Sequence, residues 1–167
     1  MSDAGVTIPG KWRRFFNRNP EERALIVRAM VILPLTGIGL RVFGFRRCKE
    51  WMEQISNALK SPPVREPAAE VAIAERAVRA IRSAELHGLA APNCLERSLV
   101  LLWLLRRQGI RGELHVGARK SGARLEAHAW VELRGQVLND HPEVDHHYAR
   151  FDAPIAIAED SGSSREH

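Results

Sequence analysis

Cysteine is scarce in this chain. Only Cys48 and Cys94 occur, far apart and in no Cys-x-x-Cys pattern. That argues against a secreted disulfide scaffold and against a cysteine zinc site, and it points to a reducing, cytoplasmic setting. A long apolar run is missing too. The longest uncharged stretch, Ala29 to Leu40, is 12 residues and contains Pro34, Gly37 and Gly39. A membrane-spanning helix needs roughly 20 apolar residues, so no crossing is expected and membrane contact is disfavoured. No secretory leader is visible, because Pro9-Gly10-Lys11-Trp12-Arg13-Arg14 precedes the first apolar run. No recognition motif for nucleic acid accompanies the basic residues. His141, Asp145, His146 and His147 cluster without a recognised ligand spacing, so no metal is expected.

What is present suits one globular domain with a small appendage. The chain has 167 residues, 45% hydrophobic and 27% charged, enough to bury a core without disulfides. The net charge of +5 is uneven: residues 1–60 hold 11 Lys/Arg against 5 Asp/Glu, and residues 61–167 hold 14 against 15. The basic half reads either as a solvated face or as a surface for an acidic partner, with Arg41, Arg46 and Arg47 as candidate contacts.

Residues 1–18 show no period and read as a loose arm. Asn19, Pro20 and Glu22 form a helix-start signal, and Leu25, Ile26, Ala29, Met30 and Leu33 recur at helical spacing. Pro34 is expected to end or kink that helix, with Gly37 and Gly39 loosening the residues beyond it. A second helix is expected from Cys48 to Leu59, completing an N-terminal helical subdomain over 19–60. Cys48, with no histidine near it, reads as structural. Three prolines in Ser61 to Pro67 mark a linker at 61–67. A helix comes next, from Ala68 to about Leu86, with Gly88 as its stop. The helix after it begins at Asn93 as N-cap with Glu96 as capping-box partner, which puts Cys94 at the first helical position. Leu95, Leu99, Leu102, Trp103 and Leu105 drive it into the core.

Beyond Gly109 the period becomes two. Leu125, Ala127, Ala129, Val131 and Leu133 alternate with Glu126, His128, Trp130 and Glu132. Arg134-Gly135 is a tight turn, and Gln136 to Asn139 begins a third strand. Helices followed by an antiparallel meander read as α+β, with the main domain over 68–159. Tyr148, Phe151, Ile155 and Ile157 are candidates to cover an edge, and 160–167 reads as a disordered tail.

Cys94, His128 and Asp140 form a coherent chemical set. A thiol attacks as thiolate, and the unpaired N–H groups of a helix N-terminus favour both that thiolate and the oxyanion of a tetrahedral intermediate. His128 would pair with the thiolate and protonate the leaving amine, and Asp140 would orient the imidazole. The hairpin between them brings His128 and Asp140 onto adjacent strands. Residue types alone also allow Cys94 to be a buried thiol and His128 a surface residue. Arg97, three residues past Cys94, is expected to brace the strands, with a carboxylate-binding role as the alternative. Trp130 shares the His128 face, either as a cleft wall or as packing. Glu132 lies roughly 13 Å along the strand from His128, too far to be a catalytic acid.

Four blocks carry a family resemblance: Asn93-Cys94-Leu95-Glu96-Arg97-Ser98-Leu99, the Leu-Leu-Arg-Arg-Gln-Gly-Ile run at 104–110, Ala127-His128-Ala129-Trp130-Val131-Glu132, and Val137-Leu138-Asn139-Asp140. With the arginine-flanked apolar segment ending Phe45-Arg46-Arg47, they resemble the transglutaminase-like B2 proteins of lasso-peptide biosynthesis. The resemblance implies a transglutaminase-like (papain-like) core, its nucleophile helix packed on a small antiparallel sheet. It implies a cysteine peptidase that removes the leader of a ribosomally made precursor peptide, with Cys94, His128 and Asp140 as the triad and no cofactor. It also implies a separate leader-binding B1 protein as partner and a lasso cyclase acting afterwards. Amide transfer or deamidation on the same triad, and a non-catalytic scaffold, are the alternatives.

Overall fold

The structure, a computed structural model, describes residues 18–57, 66–87 and 91–151. Nearly all of the 1–18 arm, most of the 61–67 linker, Gly88, Ile155, Ile157 and the 160–167 tail lie outside the described residues. Among the described residues, four helices and four strands occur in the order α1 (Pro20–Asn57), α2 (Pro67–His87), α3 (Cys94–Arg107), β1 (Glu113–Ser121), β2 (Arg124–Leu133), β3 (Gln136–Val137), α4 (Val144–His147) and β4 (Ala149–Arg150). The strands form one antiparallel sheet in the order β3-β2-β1-β4. This is the expected mixture of helices and a small antiparallel sheet.

Helix α3 is the centre of the molecule. Seven consecutive residues, Leu99 to Leu105, are buried, because α1 and α2 pack on one side of the helix and β1 and β2 on the other. The periodic stripe pointed to one buried face, and the two-sided packing buries the whole turn. Each large apolar side chain so enclosed contributes roughly 1.5–3 kcal/mol as an upper estimate. Ala29 and Leu33 of α1 and Ala74, Ala77, Val78 and Ile81 of α2 complete this core.

The expected break at Pro34 does not occur. Helix α1 continues through Pro34, Gly37 and Gly39 and bends only at Gly44, where φ is 77° and ψ 172°. Beyond the bend the chain folds back. A Cβ on Gly39 would lie 3.4 Å from Cys48 Sγ, whereas nine residues of straight helix would separate them by about 13 Å. Phe43 and Trp51 meet across the same bend, centroids 4.7 Å apart and ring planes tilted by 53°. Pro34 faces solvent, while Ile26, Ala29, Leu33, Thr36 and Gly37 are buried. Tertiary packing of that face outweighs the roughly 3 kcal/mol an internal proline costs. Gly37 permits a close approach, since a Cβ there would meet Glu96 Oε1 of α3 at 3.0 Å.

The length expectation for α1 is also corrected: Pro20–Cys48 is long and apolar enough to cross a membrane. Its buried side packs against α2 and α3. Its other side leaves Val27, Val31, Leu35, Ile38 and Val42 exposed.

The two hairpins obey local chemistry. Gly122, with φ 60°, closes the turn between β1 and β2. Arg134 and Gly135, with φ 53° and 76°, make the two-residue turn from β2 to β3, the geometry a right-handed strand twist prefers. Arg134 reaches back to Glu70 of α2 with bonds of 3.1 and 2.9 Å.

Candidate active site

The capping box forms as the spacing requires. Asn93 Oδ1 accepts from the Glu96 N–H at 2.9 Å, and Glu96 Oε2 accepts from the Asn93 N–H at 3.1 Å. A third bond runs from Asn93 Nδ2 to Glu96 Oε1 at 3.1 Å. The box stands against Gly37, so Glu96 is 7% exposed and held from both sides. The result is a rigid first turn with Cys94 at its first position, half-buried and free of disulfide. The N–H of Arg97 is taken by the Asn93 carbonyl, while those of Cys94 and Leu95 lie outside the box.

His128 and Asp140 are brought into contact. His128 Nε2 and Asp140 Oδ2 are 2.5 Å apart, with side chains 18% and 22% exposed. Asp140 sits in the bend after β3, which is shorter than the expected Gln136–Asn139 strand. The backbone leaves the ladder because Asn139 turns inward: its Oδ1 accepts from the Val131 N–H at 2.8 Å. Burial works against the Asp140 carboxylate. The His128 bond, the His141 N–H at 2.8 Å and the charges of both imidazoles outweigh it, and the pKa lies below the ordinary value of 3.8.

Ser98 joins the helix to this pair, a role that sequence reasoning missed. It is 0% exposed, one turn beyond Cys94. Its Oγ donates to the Ala129 carbonyl at 3.0 Å and accepts from Asn139 Nδ2 at 2.9 Å. Ala129 and Asn139 are the chain neighbours of His128 and Asp140. One hydroxyl therefore pins the start of the helix that begins at Cys94 to the His128 strand and to the Asp140 bend. The available signal was a small polar residue inside an otherwise apolar helix face, Leu95 to Leu105.

The remaining candidates separate. Arg97 does not brace the strands; its Nε lies 3.7 Å from Glu85 Oε1 of α2, because it leaves α3 on the helix side. Trp130 is 0% exposed, so it is packing behind His128, ring centroids 6.3 Å apart, and not an open cleft wall or a partner contact. Glu132 is buried, accepting from Trp130 Nε1 at 2.8 Å. Arg41, Arg46 and Arg47 are exposed on α1, on either side of the Gly44 bend, with Arg46 paired to Glu50 at 3.1 Å. Cys48 is 5% exposed and burial pushes its thiol pKa up, which fits an inert thiol. Asp145 is engaged by Arg150 at 3.2 Å.

A family profile described as Transglutaminase-like superfamily matches residues 39–151, more than half of the chain. No curated protein and no solved structure matches. Members of this superfamily are usually cysteine-dependent enzymes, with cysteine-protease-like or transglutaminase-like activity. The matched span starts inside α1, ends just past β4, and contains Cys94, His128, Asp140 and the Ser98 link between their elements. By this profile, the chain belongs to the transglutaminase-like superfamily.

Proposed function

We propose that this chain is a cytoplasmic cysteine peptidase that removes the leader from a lasso-peptide precursor, as a B2 protein does. The observation that carries the catalytic part is the His128–Asp140 pair, tied through Ala129, Asn139 and Ser98 to the helix that begins at Cys94. Asp140 engages Nε2, so Nδ1 is the ring nitrogen left for the Cys94 proton. The thiolate attacks the scissile carbonyl, and the oxyanion is held by first-turn N–H groups, those of Cys94 and Leu95 being outside the capping box. Collapse breaks the C–N bond, and the imidazolium gives its proton to the departing amine. Water, deprotonated by the same imidazole, then cleaves the thioester and restores the thiol. Asp140 keeps the ring oriented throughout.

The exposed stripe on α1 supports a separate B1 partner as the carrier of the leader. Val27, Val31, Leu35, Ile38 and Val42 fall within about 80° of the helix circumference, and the exposed Arg28 and Arg41 lie at its edges. That pattern fits an apolar surface with an acidic rim. Two copies of α1 would instead bring arginine against arginine.

The deciding experiment incubates the precursor and its leader-binding partner with wild type or Cys94→Ala, read by mass. A shortened precursor from wild type and none from the variant is expected. Cleavage retained by Cys94→Ala refutes the enzyme reading, and a crosslinked or deamidated product in place of a shortened one moves the assignment to amide transfer. Neutralising Arg41, Arg46 and Arg47 together is expected to raise KM with kcat held. Unchanged cleavage at low substrate refutes the docking surface.

A further inference from the structure

The face of the sheet opposite the core-facing Ala129 and Val131 carries His128, Trp130 and Glu132 of β2 with His115 and Gly117 of β1. Alternation alone would leave this face to water. Instead Trp130, Glu132 and His115 are 0%, 6% and 6% exposed. The cover is the segment 144–151, which runs along the β1 edge as α4 and β4 and reaches over this face with its side chains. Its path runs over Gly117, where a Cβ would meet the Ala149 carbonyl and Tyr148 Cβ at 3.0 Å and Trp130 at 3.1 Å. Pairing is short: Gly117 with Arg150, Ala118 with Ala149, and the Phe151 N–H on the Val116 carbonyl at 3.0 Å.

Two side chains of this strap act on the site. Tyr148 stacks on the His128 ring with centroids 4.8 Å apart and planes 25° apart, and Arg119 lies 4.9 Å from the tyrosine ring centroid. Arg150 fastens the strap. Its Nη2 donates to Glu132 Oε1 at 2.7 Å and to Asp145 Oδ2 at 3.2 Å, and its Nη1 lies 3.4 Å from His115 Nδ1. Arginine only donates, so His115 Nδ1 accepts and that ring's proton sits on Nε2, 3.5 Å from both Glu113 and Glu132 carboxylates. Glu132 Oε1 also holds the Trp130 indole at 2.8 Å. One buried carboxylate thus anchors both the ring behind His128 and the strap that carries Tyr148.

We propose that Tyr148 and Arg150 are positioning residues for His128: the Arg150–Glu132 pair clamps the 144–151 strap so that Tyr148 fixes the tilt of the imidazole. With Nε2 bound to Asp140, the ring can still swing about that contact, and the stacked tyrosine is what limits the swing and keeps Nδ1 directed for the thiol proton. This rests on the reading of Cys94 and His128 as the reacting pair.

The test needs no peptide substrate. The full chain carrying Cys48→Ala is alkylated with iodoacetamide across pH, and Cys94 labelling is read by mass. Wild type is expected to show labelling well below the free-thiol range near ~8.5, a limb that His128→Ala abolishes. Tyr148→Leu is expected to slow labelling near pH 6 by about tenfold, with Tyr148→Phe restoring the wild-type profile. Arg150→Met is expected to behave as Tyr148→Leu does. If it fails to fold, Tyr148→Leu, which leaves the Arg150–Glu132 pair in place, decides. A wild-type acid limb in Tyr148→Leu overturns the clamp, whereas a wild type that lacks the limb overturns the catalytic pairing beneath it.

Discussion

Replacing Ser98 by alanine removes one oxygen atom and two hydrogen bonds. The hydroxyl bonds the Ala129 carbonyl at 3.0 Å and Asn139 Nδ2 at 2.9 Å, and Asn139 in turn holds the Val131 N–H at 2.8 Å. Ala129 is 3% exposed, so its carbonyl is left without water. A buried orphan costs about 1–3 kcal/mol and a lost neutral hydrogen bond about 1 kcal/mol. Asn139 is only partly buried, and water re-pairs part of its loss. The expected destabilisation is therefore about 2–4 kcal/mol, or roughly 4–16 °C in melting temperature for a chain of this size. Urea unfolding measures it directly: the midpoint falls while the slope stays at its wild-type value. If Cys94 and His128 react as proposed, function is expected to fall further than stability explains, because a shift of about 1 Å between the Cys94 helix and the His128 strand costs on the order of a hundredfold in rate. A folded Ser98→Ala with under about 0.5 kcal/mol of destabilisation and wild-type Cys94 reactivity would show that the hydroxyl does not align the site.

The same geometry sets two further outcomes. The depressed pKa of Asp140 means its carboxylate stabilises the fold above its ordinary value of 3.8, and that contribution is lost as pH falls from there through the lower folded value; acid titration of the urea midpoint should steepen below about pH 4 in wild type and less so in Asp140→Asn, and parallel curves would contradict this. At Gly37, a Cβ meets a Glu96 carboxylate that two bonds to Asn93 already hold, so Gly37→Leu is expected to cost about 1–3 kcal/mol, while Gly37→Ala stays near zero because better helix propensity of roughly 1 kcal/mol offsets the contact; a neutral Gly37→Leu in urea unfolding would refute the close packing of α1 on α3.

The parts of the site that were legible are those set by short sequence separation. The box from Asn93 to Glu96 closes over three residues, so residue types suffice to place Cys94 on the first turn. His128 and Asp140 are joined through a two-residue turn whose Arg134-Gly135 sequence announces it, and the pair meets as the hairpin requires. Legibility stopped where a partner lay far along the chain. Arg97 found Glu85 on α2, and Ser98 found Ala129 across 31 residues. Glu132 was dismissed on its distance from His128, yet it is buried beneath a strap that no period in 141–151 foretells.

Sequence alone therefore determined the helix-then-meander order, the position of Cys94 at a capped helix start and the pairing of His128 with Asp140, because each depends on backbone preferences and neighbours a few residues away. Tertiary structure decided the rest. It carried α1 past Pro34, since burying one face against α2 and α3 outweighs a local penalty. It converted Gly37 from a helix breaker into the contact that seats Glu96. It also sealed the outer face of the sheet with Tyr148 and Arg150, because a two-residue edge strand has too little pattern of its own and exists only by what it covers.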